Sequence, residues 1–339
     1  MRVVTMGEMM LRLMPVGNKR FEQADSFEAY YGGDESIVAT QIARFGIGSR
    51  YITKLPNNPF GNIVINKLRE QGVDTSYIAF GGERLGLNFY ENGVSMRPSQ
   101  VIYDRKHSAI SQALPEDFNF NEIFSDADWF HVAGITPAIS KQAAKLTKIA
   151  MESAKKNNLT VSVDLNYRSK LWSPEEAQSV MIPLMRFVDI CIGNEEDAEL
   201  VLGMPPSNTD VHGAKLDVDG YRELFLNMKK RFGFKMIAST LRESYSASDN
   251  GWSALLFDGE EFYYTKKYNI HLVDRGGGGA SFAAGLIYGK LNNYPLDKIG
   301  EFAIAASALK QTIIGDFNLI SLEEVFSLMD GNISGRVKR

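Results

Sequence analysis

Thr160-Val161-Ser162-Val163-Asp164-Leu165 is a short apolar run holding one carboxylate near its end, and Ile190-Cys191-Ile192 is another, bounded by Asp189 and Gly193. Between them, residues 174–186 carry the spacing of an amphipathic helix. Strand, helix and strand in that order form a βαβ unit, and these strands are too apolar for a sheet with one wet face. The same alternation extends outward in both directions. Arg2 to Gly7, Ser49 to Thr53, Trp129 to Ala133 and Lys235 to Ser239 read as further buried strands, with helical patterns over 34–46, 60–71, 139–156 and 195–202. The pattern predicts an α/β fold with a mainly parallel central sheet flanked by helices on both faces. No internal repeat, low-complexity tract or Pro/Ser-rich linker divides the chain, so residues 1–339 read as one domain.

Two stretches break the rhythm. Residues 9–31 and 84–104 lack helical periodicity and are rich in Tyr, Phe and Met alternating with polar residues. They read as short antiparallel strands inserted between βα units. Such a sheet is either a lid, because open α/β sheets bind ligands beyond the carboxyl ends of their strands, or a surface hairpin without function.

Composition removes several functions. Lys plus Arg total 37 and Asp plus Glu 41, a formal charge of −4 with no basic stripe, which argues against a nucleic-acid footprint. No apolar stretch approaches the ~18 residues needed to cross a bilayer, and Glu8 comes too early for a signal peptide. The single cysteine, Cys191, sits in an apolar run and reads as a buried small hydrophobe. A cytoplasmic protein is expected. The four histidines, His107, His131, His212 and His271, show no metal-ligand spacing and default to structure or surface.

The sharpest local feature is His271-Leu272-Val273-Asp274-Arg275-Gly276-Gly277-Gly278-Gly279-Ala280-Ser281-Phe282-Ala283-Ala284-Gly285. Four of the chain's 30 glycines stand directly before a helix of small residues. Glycines let successive N–H groups converge, and a helix start adds its positive dipole end, so this loop suits a phosphate. It lacks the Lys-Ser/Thr pair of a Walker loop. It also lies too near the C-terminus for a dinucleotide fingerprint.

These residues, with Gly32-Gly33-Asp34-Glu35, Tyr103-Asp104-Arg105, Gly134-Ile135-Thr136-Pro137, Asp164-Leu165-Asn166-Tyr167-Arg168, Asn194-Glu195-Glu196-Asp197 and Gly315-Asp316, resemble the ribokinase-like (PfkB) carbohydrate kinases. The likeness is strongest to the 2-keto-3-deoxygluconate kinase branch and spans nearly the whole chain. It implies a ribokinase-like fold with a small β-sheet lid, ATP and Mg²⁺, a sugar-acid substrate, and a homodimer or larger assembly formed through the lid. By resemblance, Gly277, Gly278 and Gly279 form an anion hole, and position 280 is where the family's Asp base takes the hydroxyl proton. Here it is Ala280, which cannot accept a proton.

The resemblance also assigns Gly33, Ile37, Asn88, Tyr103, Arg105, Ile135 and Arg168 to the substrate, with the two arginines suited to a planar carboxylate. Asn194, Thr240, Arg242, Gly277 and Gly279 fall to the nucleotide, and Glu195 and Asp197 to the metal through water. The same Asn194 segment also satisfies an acidic N-cap. Further departures are Ile37 in place of a sugar-binding Asn, Asn88 where a Tyr is common, Asp197 for a Glu, and Gly276 for an apolar residue. The helix expected at Ala303 to Ile314 would pack in the core and wall the adenine pocket. Three readings stay open: a kinase of the 2-keto-3-deoxygluconate type, a catalytically silent binder of a sugar acid or nucleotide, and a kinase for another sugar.

Overall fold

The structure, a computed structural model, describes residues 1–205 and 218–332. His212 lies outside them. The apolar runs pair as one nine-stranded sheet. From one edge the order is Gly48–Ile52, Arg2–Met6, Trp129–Ala133, Thr160–Asp164, Ile190–Ile192 and Met236–Ser244, all parallel. Asp249–Phe257 then joins antiparallel and carries Phe262–Tyr264 and Tyr268–His271 on its outer side. All five residues of Trp129–Ala133 are buried, as expected of a strand covered on both faces. One core cluster gathers Phe130, Val161 and Leu146 on one side of the sheet. Another gathers Ala238, Phe282 and Phe302 on the other. The expected α/β architecture is the observed one.

Helix ends follow their capping residues. Ser140 Oγ accepts the Ala143 N–H at 3.0 Å and starts Lys141–Lys156, so the helix expected from 139 is preceded by a separate short helix, Ile135–Ala138. Ser173 and Glu176 form a capping box on Pro174–Leu184. Pro183 lacks an N–H, and that helix tightens to a 3₁₀ turn at Met185–Phe187. The helix expected at Ala303 to Ile314 runs instead over Leu296–Lys310, starting after Pro295. It packs in the core, but none of its residues lines either of the two cavities described below. The strand expected at Lys235 to Ser239 continues to Ser244 because Asp249–Phe257 pairs with it along its length.

The inserted stretches form a four-stranded sheet in the order Phe27–Gly32, Met10–Pro15, Leu87–Glu91, Gln100–Asp104. Its middle pair is parallel, not antiparallel as expected. The two inner strands are the first strand of each insertion. Register sorts the side chains: Tyr30, Arg12, Asn88 and Tyr103 stand in one row, and Ala29, Leu13, Phe89 and Ile102 in the next, on the opposite face.

Cys191 is fully buried, His131 is buried with Nδ1 against Ser162 Oγ at 2.8 Å, and His271 Nδ1 meets Asp249 Oδ1 at 2.8 Å. No group of metal-ligating side chains occurs among the described residues, and no described helix is long and apolar enough to cross a membrane.

Candidate active site

The glycine run turns sharply at Gly277, whose φ of +80° only glycine adopts readily, and opens the helix Gly278–Leu291. A Cβ there would also stand 3.1 Å from both the Asp316 carbonyl oxygen and the Ile37 side chain. Asp274 braces the turn: Oδ1 accepts the Gly276 N–H at 2.8 Å and Oδ2 the Gly315 N–H at 2.9 Å. The same carboxylate pairs with Arg12, which also reaches Asp316 at 3.3 Å. A second helix, Asp34–Arg44, starts nearby after Gly33, where a Cβ would fall 1.8 Å from the Glu8 carbonyl oxygen. Neither Gly277 nor Gly33 offers a side-chain cap, so the first N–H groups of both helices are left for a ligand.

Two cavities meet over these helix starts. The larger, about 510 Å³, lies against the glycine loop and takes in Asn194, Thr240, Arg242, Arg275 and the apolar Ile192, Trp252 and Phe282. Arg242 stacks over Trp252 at 5.0 Å, and burial, with the Arg275 charge beside it, pulls its guanidinium down to about 10. Cationic groups, uncapped N–H donors and flat apolar walls suit a nucleotide with its phosphates toward the glycines. Asp164, Glu196 and Asp197 add carboxylates to the same wall. Burial, with the charges of Asp34 and Asp197, pushes Asp164 well up.

The smaller cavity, about 160 Å³, lies under the inner row of the four-stranded sheet, with Arg12, Asn88, Tyr90 and Tyr103 above and Gly33, Ile37, Ile135 and Arg168 below. The four-stranded sheet therefore roofs this cavity. Arg105 lines this cavity but is 8% exposed and already paired with Glu8, whereas Arg168 is exposed and donates to its neighbour's carbonyl, Tyr167 O, at 2.7 Å. Arg168 is the fork better placed to take an incoming carboxylate.

Every substrate and nucleotide residue expected from the sequence thus lines one cavity or the other. Two expected site residues do not. Ala280, in the first turn of the helix Gly278–Leu291, is 1% exposed and packs with Ile37 in the core cluster, because a methyl is too short to reach the space. Glu195 turns away to accept a hydrogen bond from the Tyr221 hydroxyl, and its place in the cavity is taken by Glu196. Asp197 lines the cavity while serving the capping box, its oxygens accepting N–H groups of Tyr167 at 2.8 Å and Asn194 at 3.1 Å. Sequence reasoning assigned no role to Arg12, Asp34, Asp316, Trp252 or Arg275. A lone charge inside Met10-Leu11-Arg12-Leu13-Met14 was the available signal for the first.

An anion site shared by two unequal cavities, one suited to phosphates and the other rimmed by arginines and tyrosines, defines an enzyme that moves a phosphoryl group between two bound molecules. The chain belongs to the pfkB family of carbohydrate kinases, whose sequence profile matches residues 1–318. It is 32% identical over 98% of both chains to a 2-dehydro-3-deoxygalactonokinase from Haloferax volcanii. It superposes on a crystal structure of 2-dehydro-3-deoxygluconokinase from Thermotoga maritima with a TM-score of 0.94 and 47% identity, covering 98% of this chain and 100% of that one. A PfkB family carbohydrate kinase from Listeria grayi gives 0.91 at 29% identity, covering 97% and 100%.

Proposed function

We propose that this chain phosphorylates a hydroxyl of a 2-keto-3-deoxy sugar acid, with ATP as donor. The carrying observation is the meeting of the two cavities at the uncapped starts of Asp34–Arg44 and Gly278–Leu291. ATP lies in the larger cavity with its terminal phosphate against Gly277, Gly278 and Gly279. The sugar acid lies under the lid with its carboxylate at Arg168, and Tyr103 covers it. Backbone N–H groups then stabilise charge on the transferring group, the term that dominates phosphoryl transfer.

The donor-side carboxylates fit Mg²⁺ held on the nucleotide phosphates through water, with Glu196 and Asp197 as its protein partners. Bound there, the ion would neutralise phosphate charge. The reaction belongs in the cytoplasm, where ATP is found, and the protein acts as a homodimer or larger assembly paired through its lid.

Ala280 and Ile37 favour a second reading, a silent binder of the same ligands, because both place hydrocarbon where the resemblance implies a polar contact. A panel of sugar acids with ATP and Mg²⁺, run on the chain and on Ala280→Asp, separates the two. Slow phosphorylation of 2-keto-3-deoxygluconate or its galactonate epimer, raised by Ala280→Asp, supports the kinase. Binding without transfer in both forms supports the silent reading.

A further inference from the structure

Transfer to a hydroxyl releases a proton, and position 280 offers only a methyl group to receive it. The residues common to both cavities are Asp34, Arg168, Gly276 and Gly277. Among these, Asp34 alone can accept a proton. It stands at the first position of its helix, at the junction where donor and acceptor must meet. Its Oδ2 is shielded from solvent and has no hydrogen-bond partner.

The other acceptor-side carboxylates are held in ion pairs or hydrogen bonds, although Glu8 Oε1 and Asp316 Oδ2 also lack a hydrogen-bond partner. Glu8 pairs with Arg105, Asp316 with Arg12, and Glu35 accepts the Ala133 N–H and the Thr136 hydroxyl. Resting on the kinase reading above, we propose that Asp34 is the general base of this chain, supplied from the start of the lid-side helix rather than from the glycine-loop helix. Its carboxylate takes the hydroxyl proton as the oxygen–phosphorus bond forms and the bond to the leaving ADP breaks; the protonated acid then returns the proton to solvent.

The charged and polar groups facing Asp34 set its working range. Burial raises it to about 6, held back by the Arg168 guanidinium and the Asn166 amide. Glu35 on its own helix and Asp164 at the end of the neighbouring strand are electrostatically linked to it. Gly276 and Gly277 face it with backbone alone. A carboxylate poised there is ionised at neutral pH, yet more basic than an exposed one.

The test measures kcat and KM across pH 5 to 9, with ATP, Mg²⁺ and 2-keto-3-deoxygluconate, for the chain, Asp34→Asn and the double variant Asp34→Asn with Ala280→Asp. Nucleotide binding is followed by Trp252 fluorescence. The proposal expects Asp34→Asn to lower kcat by about 10²–10⁴-fold, with KM within a few-fold, nucleotide binding kept and the acid limb of the profile lost. A merely structural Asp34 would leave that limb in place. Asp34→Asn with kcat and acid limb unchanged overturns the proposal, as does an inert parent chain. Transfer by the double variant then shows that the kinase reading stands even where the Asp34 assignment fails.

Discussion

Arg12 shows how one side chain of the covering sheet can hold a site together. It is 4% exposed, lies between the rings of Tyr30 and Tyr90 at 5.3 and 5.2 Å, and neutralises both Asp274 and Asp316. Asp274 in turn fixes Gly276 and Gly315, so the guanidinium helps set the shape of the glycine loop. Removing one partner of a buried pair leaves uncompensated charge, a loss larger than the pair's own net value. Arg12→Leu is therefore expected to lower unfolding free energy by about 3–5 kcal/mol in urea titration. A loss below about 1 kcal/mol, the size of a surface pair, would show that Lys310, which is also buried beside these carboxylates, suffices alone.

The helix Asp34–Arg44 carries the site's titration. Glu35 is buried at its second position and pushed up to about 8 by burial and by the Asp34 charge, so it keeps its proton at neutrality. Its folded value lies above the usual carboxylate range, hence the stability it contributes is complete below about pH 4.5 and is lost as pH rises through 8. His131 acts oppositely: burial lowers it to about 3, and its contribution is lost as pH falls below about 6.5. Between pH 6.5 and 8 only the carboxylate side acts, with a slope of up to about 1.4 kcal/mol per pH unit for one proton. Glu35→Gln keeps a neutral group of the same shape and is expected to flatten the fall in Tm across that window. An unchanged slope would place the titration on Asp164 instead.

The same helix shows what a sequence reveals and what it hides. Its start at Gly33 and the phosphate loop at Gly276 to Gly279 were legible, because glycine runs before helices have a local cause. The junction was not. Asp34 and Gly277 are far apart in the chain, and only the packing of their two helices on one face of the sheet brings the helix starts together. Glu195 misled for a related reason: on a helix, neighbours face different ways, and Tyr221 from a distant helix decides which one enters the cavity.

Across the whole molecule, the four-stranded sheet presents two unlike faces. The inner row, Arg12, Asn88 and Tyr103, covers the smaller cavity. The outer row runs Ala29, Leu13, Phe89 and Ile102 in direct register, with Phe27 packed edge-on against Phe89 at 6.4 Å. Phe27 is 41% and Ile102 54% exposed. A contiguous apolar sheet face beside an active site is costly to leave in water and suits a self-complementary two-fold contact. Lid-to-lid pairing would also stiffen the inner row, so substrate binding and assembly should be linked. Phe27→Asp combined with Ile102→Asp places like charges on a row that must meet its own copy, and each loses its apolar partner. Light scattering after size exclusion is expected to give twice the chain mass for the parent at micromolar concentration and the single-chain mass for the variant. KM for the sugar acid should rise several-fold in the variant while nucleotide binding, which uses no lid residue, stays unchanged. A parent that is already monomeric at that concentration would remove the lid contact, and with it the expected linkage.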